Sequence, residues 1–179
     1  IALEAELQQR AVSGQLRSLV IRAGDFFGSG TGTWLDLAIV KSLAKGKLVY
    51  PGPRERPHAG ASLPELARAC GRLAQQPDPA PFACWHFAGH TLTGAELLAG
   101  IAAAAGELGV APPRGFRHAG LPWGFIRAVG LVNPGWRELA RMAYLWRVPH
   151  ALDGRRLAAL PGAPLVATPL ATHVVIGRA

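Results

Sequence analysis

Apolar and polar positions along the chain alternate between helical and strand-like patterns. In residues 1–12, Ala2, Leu3, Leu7 and Ala11 share one helical face, while Glu4, Glu6, Gln8, Gln9 and Arg10 take the other. Ser13-Gly14 should end that helix. The nearly continuous apolar run in residues 16–23 predicts a strand buried on both faces. A loop with four glycines follows over 24–33, then a helix over 34–43 with Gly46 just past its end. Residues 47–50 predict a short strand stopped by Pro51-Gly52-Pro53, and 57–61 an extended piece. Ser62 and Glu65, three apart, predict a capping box opening a helix that runs to about Gln75. Residues 82–87 alternate weakly and read as a strand, after a loop over 76–81. Thr93 and Glu96 predict a second capping box, on a helix ending near Gly106. A short strand over 116–119 and helices over 122–132 and 136–147 follow, with Pro149 as the stop and a last helix at Pro169, capped by Thr168.

Three or four strands alternating with helices indicate an α/β fold, and the tail from about Gly120 is mainly helical. No internal repeat, low-complexity segment or clear linker divides the chain. With 179 residues, half of them hydrophobic and 17% charged, it can bury a sizeable core. The formal charge of +8 is scattered, arginine far ahead of lysine, with no run of five basic residues. It reads as a basic surface rather than a nucleic-acid footprint. Cys70 and Cys84 form no CxxC pair, which fits a reducing cytoplasm. The first residues carry no basic region leading into an apolar core, so no signal peptide is expected. No apolar run approaches the roughly 18–20 residues of a membrane span, so no membrane partner is expected.

Candidate chemistry concentrates where the 16–23 strand ends, because open α/β sheets bind ligands at the carboxyl ends of their strands. Asp25 there can orient a ligand or bond the turn's backbone N–H groups. Arg22 can hold a carboxylate or phosphate, or pair with Asp25. Gly24, Gly28, Gly30 and Gly32 read as a mobile substrate loop or as plain turn chemistry, not as a phosphate fingerprint. His58, with Arg54 and Arg56 nearby, can meet an anionic substrate group or belong to a solvated basic loop. His86 and His90 are four apart but fall on a strand and turn, so no metal site is expected. Trp85, Trp123, Trp136 and Trp146 read as packing, with Trp123 and Phe116 the best candidates for lining a pocket. No G-x-S-x-G occurs, which discounts a serine hydrolase.

Several segments, in order, carry a family resemblance: Ile21-Arg-Ala-Gly-Asp-Phe-Phe-Gly28, Gly46-Lys-Leu-Val-Tyr-Pro-Gly52, Pro57-His-Ala-Gly-Ala-Ser-Leu-Pro-Glu-Leu-Ala67, His86-Phe-Ala-Gly-His-Thr-Leu-Thr93, and Glu138 through Asp153-Gly154. Together they resemble the C-terminal half of the NAD(P)-dependent epimerase/dehydratase family, an extended, atypical branch of the short-chain dehydrogenases/reductases. The resemblance implies the last part of a Rossmann-like parallel sheet plus a small, mostly helical substrate domain. Residues 1–50 would hold the last core helix and strand, 51–119 the mixed part returning to the sheet, and 120–179 the helical substrate region. It implies NAD or NADP as cofactor of the intact protein, with Gly24, Asp25, Phe26 and Phe27 beside it. It also implies a small-molecule substrate met by Arg22, Asp25, Arg56, His58 and Trp123. The family's glycine-rich fingerprint and its Tyr-x-x-x-Lys pair do not occur in these residues. The expectation is therefore an inactive substrate-domain half, with no catalytic residue of its own, whose partner is a missing N-terminal cofactor-binding half. A homodimer through the helix over 1–12 is implied too, its alternative being packing on the chain's own sheet. The competing reading is a non-catalytic relative that senses dinucleotide or binds a partner. A Tyr-x-x-x-Lys pair in residues preceding Ile1 would separate the two.

Overall fold

The structure is a computed structural model and describes residues 2–28, 32–77, 80–162 and 165. Helix α1 (Ala2–Val12) ends as its glycine predicts: Gly14 sits at φ 75° and its N–H donates to the Ala11 carbonyl. Strand β1 (Ser18–Arg22) follows, shorter than the apolar run. Residues 25–27, expected within a loop, instead form strand β2 (Asp25–Phe27). The expected helix over 34–43 is broken into a π-helical turn (Leu35–Ile39) and a 3-10 turn (Leu43–Lys45). The wide turn buries Leu35 and Ile39, and Thr33 Oγ1 donates to Asp36 Oδ2 at 2.6 Å beside it. Gly46, at φ 65°, closes the 3-10 turn in the left-handed conformation that glycine adopts freely.

Strands β3 (Lys47–Tyr50) and β4 (Pro57–Ser62) fall where the pattern placed them, as does helix α2 (Leu63–Ala74). The Ser62–Glu65 capping box does not form: Ser62 makes no side-chain cap bond, and Glu65 turns inward to full burial. Strand β5 (Phe82–His86) agrees with the pattern, and a further strand, β6 (His90–Thr93), precedes helix α3 (Gly94–Glu107). Here the capping box is complete. Thr93 Oγ1 accepts from the Glu96 N–H, while Glu96 Oε2 accepts from the Thr93 N–H at 2.8 Å. Strand β7 (Arg117–Gly120) and helices α4 (Trp123–Val129) and α5 (Pro134–Met142) follow. The helix expected over 136–147 thus starts earlier, capped by Asn133, and tightens to a 3-10 turn at Ala143–Trp146. A short α6 (Arg155–Ala158) comes last. The helix expected at Pro169 lies outside the described residues.

The fold is mixed α/β with small sheets. β1 pairs with β5 and β3 with β7, both parallel, while β2, β4 and β6 form a three-stranded sheet, parallel at β2–β4 and antiparallel at β4–β6. Because β1 has β5 as its one described neighbour, the expected burial on both faces does not hold, and Leu19 is 40% exposed. The β2–β4–β6 sheet joins two apolar cores. Phe27 belongs to one, with Leu48, Tyr50, Leu98, Ile101 and Trp146. Ala61 belongs to the other, with Leu73, Phe87 and Leu157. Among the described residues no helix is long and apolar enough to cross a membrane.

Candidate functional site

The three-stranded sheet builds the site through its register. Asp25 lies opposite Gly60, and Gly60 opposite His90; His58 lies opposite Leu92. Side chains alternate along a strand, so Asp25 and Phe27, His58 and Gly60, and His90 and Leu92 share one face. All six line a single cavity with an empty volume of about 530 Å³, its mouth included. Ala59 and Ala61 take the opposite face of β4 and are fully buried. Two glycines make room. A side chain at Gly24 would run into the Ala59 carbonyl, holding the β1–β2 connection tight against β4. A methyl at Gly60 would press on the Phe27 ring from 3.0 Å, inside the cavity.

Opposite the sheet the wall is aromatic and aliphatic: Trp34, Leu35 and Ile39 from the π-turn, Leu97 from α3, and Trp146 from the 3-10 turn after α5. The Trp146 ring stacks on His58 at 4.3 Å with 4° between planes, and meets Trp34 and Tyr50 edge-on. Its indole Nε1 is buried with no hydrogen-bond partner among the described residues. The Trp146 backbone occupies the space a side chain at Gly52 would need, and Arg56 Nη1 donates to the Arg147 carbonyl at 2.9 Å. The His150 N–H donates to the Pro57 carbonyl at 3.2 Å. These contacts clasp the segment over 146–150 to the start of β4.

His58 is the most constrained group here. Its Nε2 lies 2.8 Å from Asp25 Oδ2, one ring face is covered by Trp146, and His150 meets the ring edge-on at 4.2 Å. With Nε2–H donating to Asp25, Nδ1 is left as an acceptor. The Tyr50 phenol is pushed up to about 12, first by burial and then by the charge of Asp25. It stays protonated at neutral pH and offers a hydroxyl rather than a phenolate. His90 is committed elsewhere: its Nε2 is 2.9 Å from Glu65 Oε2, which explains why Glu65 leaves its helix cap.

The expected site residues divide. Asp25, Phe26, Phe27 and His58 line the cavity, whereas Gly24 supports it from behind through Ala59. Arg22 does not pair with Asp25. It reaches back to α1, donating to both Glu4 oxygens at 2.8 and 2.9 Å, and holds the Glu4 carboxyl below its ordinary range. Arg22 ends β1 and Asp25 opens β2, strands of different sheets, and His58 occupies the position beside the Asp25 carboxylate. Arg56 is engaged with the Arg147 carbonyl, outside the lining. Trp123 also stays outside, packing on the same core while its Nε1 donates to the Pro51 carbonyl at 2.6 Å. Arg54 donates to His118 Nδ1 at 3.0 Å, in a separate shallow pocket at the ends of β3 and β7. Tyr50, Trp34, Trp146 and Leu97 escaped sequence reasoning as site residues. The aromatic pairing that converges on Trp146 spans more than a hundred residues of chain and leaves no local signature. Among the described residues no three His, Cys, Asp or Glu side chains converge as a metal site would require.

Comparison of the chain with protein-family models finds no match, and comparison with curated proteins finds no similar one.

Proposed function

We propose that this chain is the substrate-binding half of an NAD(P)-dependent epimerase/dehydratase or reductase-like protein. In this reading, Gly24 through Phe27 run beside the nicotinamide, and the cavity over β2, β4 and β6 receives a small-molecule substrate. Arg22, Arg56 and Trp123, which the resemblance also implies, do not line the cavity and would act on a substrate only where it extends beyond it. One observation carries the reading: the residues of the strand-end segment, Asp25–Phe27, wall an apolar cavity together with His58. The parallel β1–β5 pair would be the edge of a larger Rossmann-like sheet, since parallel strands occur mainly in wide sheets covered on both faces. The cofactor-binding half, with its glycine-rich turn and Tyr-x-x-x-Lys pair, would be supplied from outside these 179 residues. A cytoplasmic setting accords with two free cysteines.

Without a glycine-rich turn that lets backbone approach a pyrophosphate, the chain alone should bind NAD(P) weakly or not at all. Calorimetric titration checks this. Tight, stoichiometric binding of NAD(P) to the 179-residue chain would overturn the proposal and favour a dinucleotide sensor.

A further inference from the structure

The cavity's lining states what kind of molecule it can hold. Its walls are the rings of Phe27, Trp34 and Trp146 and the branched side chains of Leu35, Ile39 and Leu97, and no Arg or Lys among the described residues lines it. A phosphate or nucleotide would therefore face Asp25 with no cation from the lining to offset its charge. Polar groups free to meet a ligand are few. Among the described residues they are the second Asp25 oxygen, His58 Nδ1, the Tyr50 hydroxyl and the unpaired indole Nε1 of Trp146, while His90 Nε2 is held by Glu65. A sugar would bury several hydroxyls with no partner, each weakening binding ~10-fold. A single hydroxyl has a partner: Asp25 and His58 accept, and Tyr50, kept as the phenol, either donates or accepts. The remaining Asp25 oxygen could hold an ammonium as well, and titration with the amine separates the two.

We propose that this cavity binds a compact, mainly hydrocarbon alcohol, its hydroxyl at the Asp25–His58 pair and its carbons against Trp146, Phe27 and Leu97. This rests on reading the cavity as the substrate site and names the class of substrate.

The test titrates the whole 179-residue chain with 1-tetralol, tetralin, 1-aminotetralin and glucose, by calorimetry and by tryptophan fluorescence. Tetralol should bind saturably, ~3- to 10-fold tighter than tetralin, the worth of one hydrogen bond, and glucose should not saturate. Asp25→Ala should bring tetralol down to the tetralin level while tetralin is unchanged. His58→Phe keeps the ring stacked on Trp146 and should act the same way, which covers the case in which Asp25→Ala fails to fold. Equal affinity for tetralol and tetralin, tighter binding of glucose or the amine, or no saturable binding at all would overturn the inference. Nicotinamide is not needed for the measurement. Tight NAD(P) binding by the chain would thus defeat the half-enzyme reading and leave this one standing, and glucose outbinding tetralol would do the reverse.

Discussion

Glu65 and Tyr50 show how burial turns ordinary side chains into strong determinants. Glu65 is fully buried on α2, with His90 as partner at 2.9 Å and Arg68 further out at 3.9 Å. Losing a buried side-chain hydrogen bond costs about 1–3 kcal/mol. Glu65→Ala should therefore lower the urea midpoint strongly at neutral pH. Glu138→Ala, which breaks an exposed pair with Arg141, should change stability by less than about 1 kcal/mol. Tyr50 sets a pH dependence. Its folded-state value of about 12 lies above the ordinary 10.0. Above pH 10 the unfolded chain loses the phenolic proton while the folded chain keeps it. The folded state then binds more protons, so stability falls as pH rises from 10 towards 12. Denaturant midpoints across this window should fall less steeply in Tyr50→Phe than in the wild type, and identical slopes would show that Tyr50 contributes nothing.

Elements in this chain are held by packing where propensity is weak. Helix α3 starts with Gly94 directly against the Tyr50 ring, and a methyl there would collide with that ring. Alanine is the better helix former by about 1 kcal/mol. Overpacking a filled core costs about 1–3 kcal/mol, and Tyr50 is itself wedged against Trp146. Gly94→Ala should thus destabilise the protein, by up to about 2 kcal/mol once the propensity gain is subtracted. A rise in thermal midpoint would mean that the Tyr50 ring yields, and the cavity wall with it.

At the scale of the whole molecule, the described residues leave one face of α1 uncovered. Ala11 is buried, Leu7 half-buried and Leu3 69% exposed, so the apolar strip leaves its own sheet towards the N-terminal end. An isolated helix of eleven residues is marginal in water and depends on packing. A homodimer that joins this strip to its twin would account for the exposure of Leu3. Replacing Leu3 and Leu7 by Asp should then shift sedimentation from dimer to monomer with circular dichroism unchanged. A wild-type chain that sediments as a monomer at high concentration would count against the dimer.

Local chemistry was legible in the residues themselves. The helix ended by Gly14, the cap made by Thr93 and Glu96, the left-handed turn at Gly46 and the strand stopped by Pro51 each depend on neighbours within a few positions. Asp25 and His58 were both readable as polar groups beside apolar segments, yet their pairing was not. It requires β2 to lie parallel to β4 in a register that sets Asp25 opposite Gly60, a choice made by partners 33 or more residues away. The same long-range choice diverted Glu65 from its capping box to His90 and gave Arg22 to Glu4. It also brought Trp34, Tyr50 and Trp146 around one histidine. Several helix and strand ends were determined by sequence alone, because capping and turn conformations are short-range, whereas β2 and the broken helix over 34–43 were not. Tertiary structure alone decided which polar groups meet, because burial forces each of them to find a partner and only the packed chain brings the partners within reach.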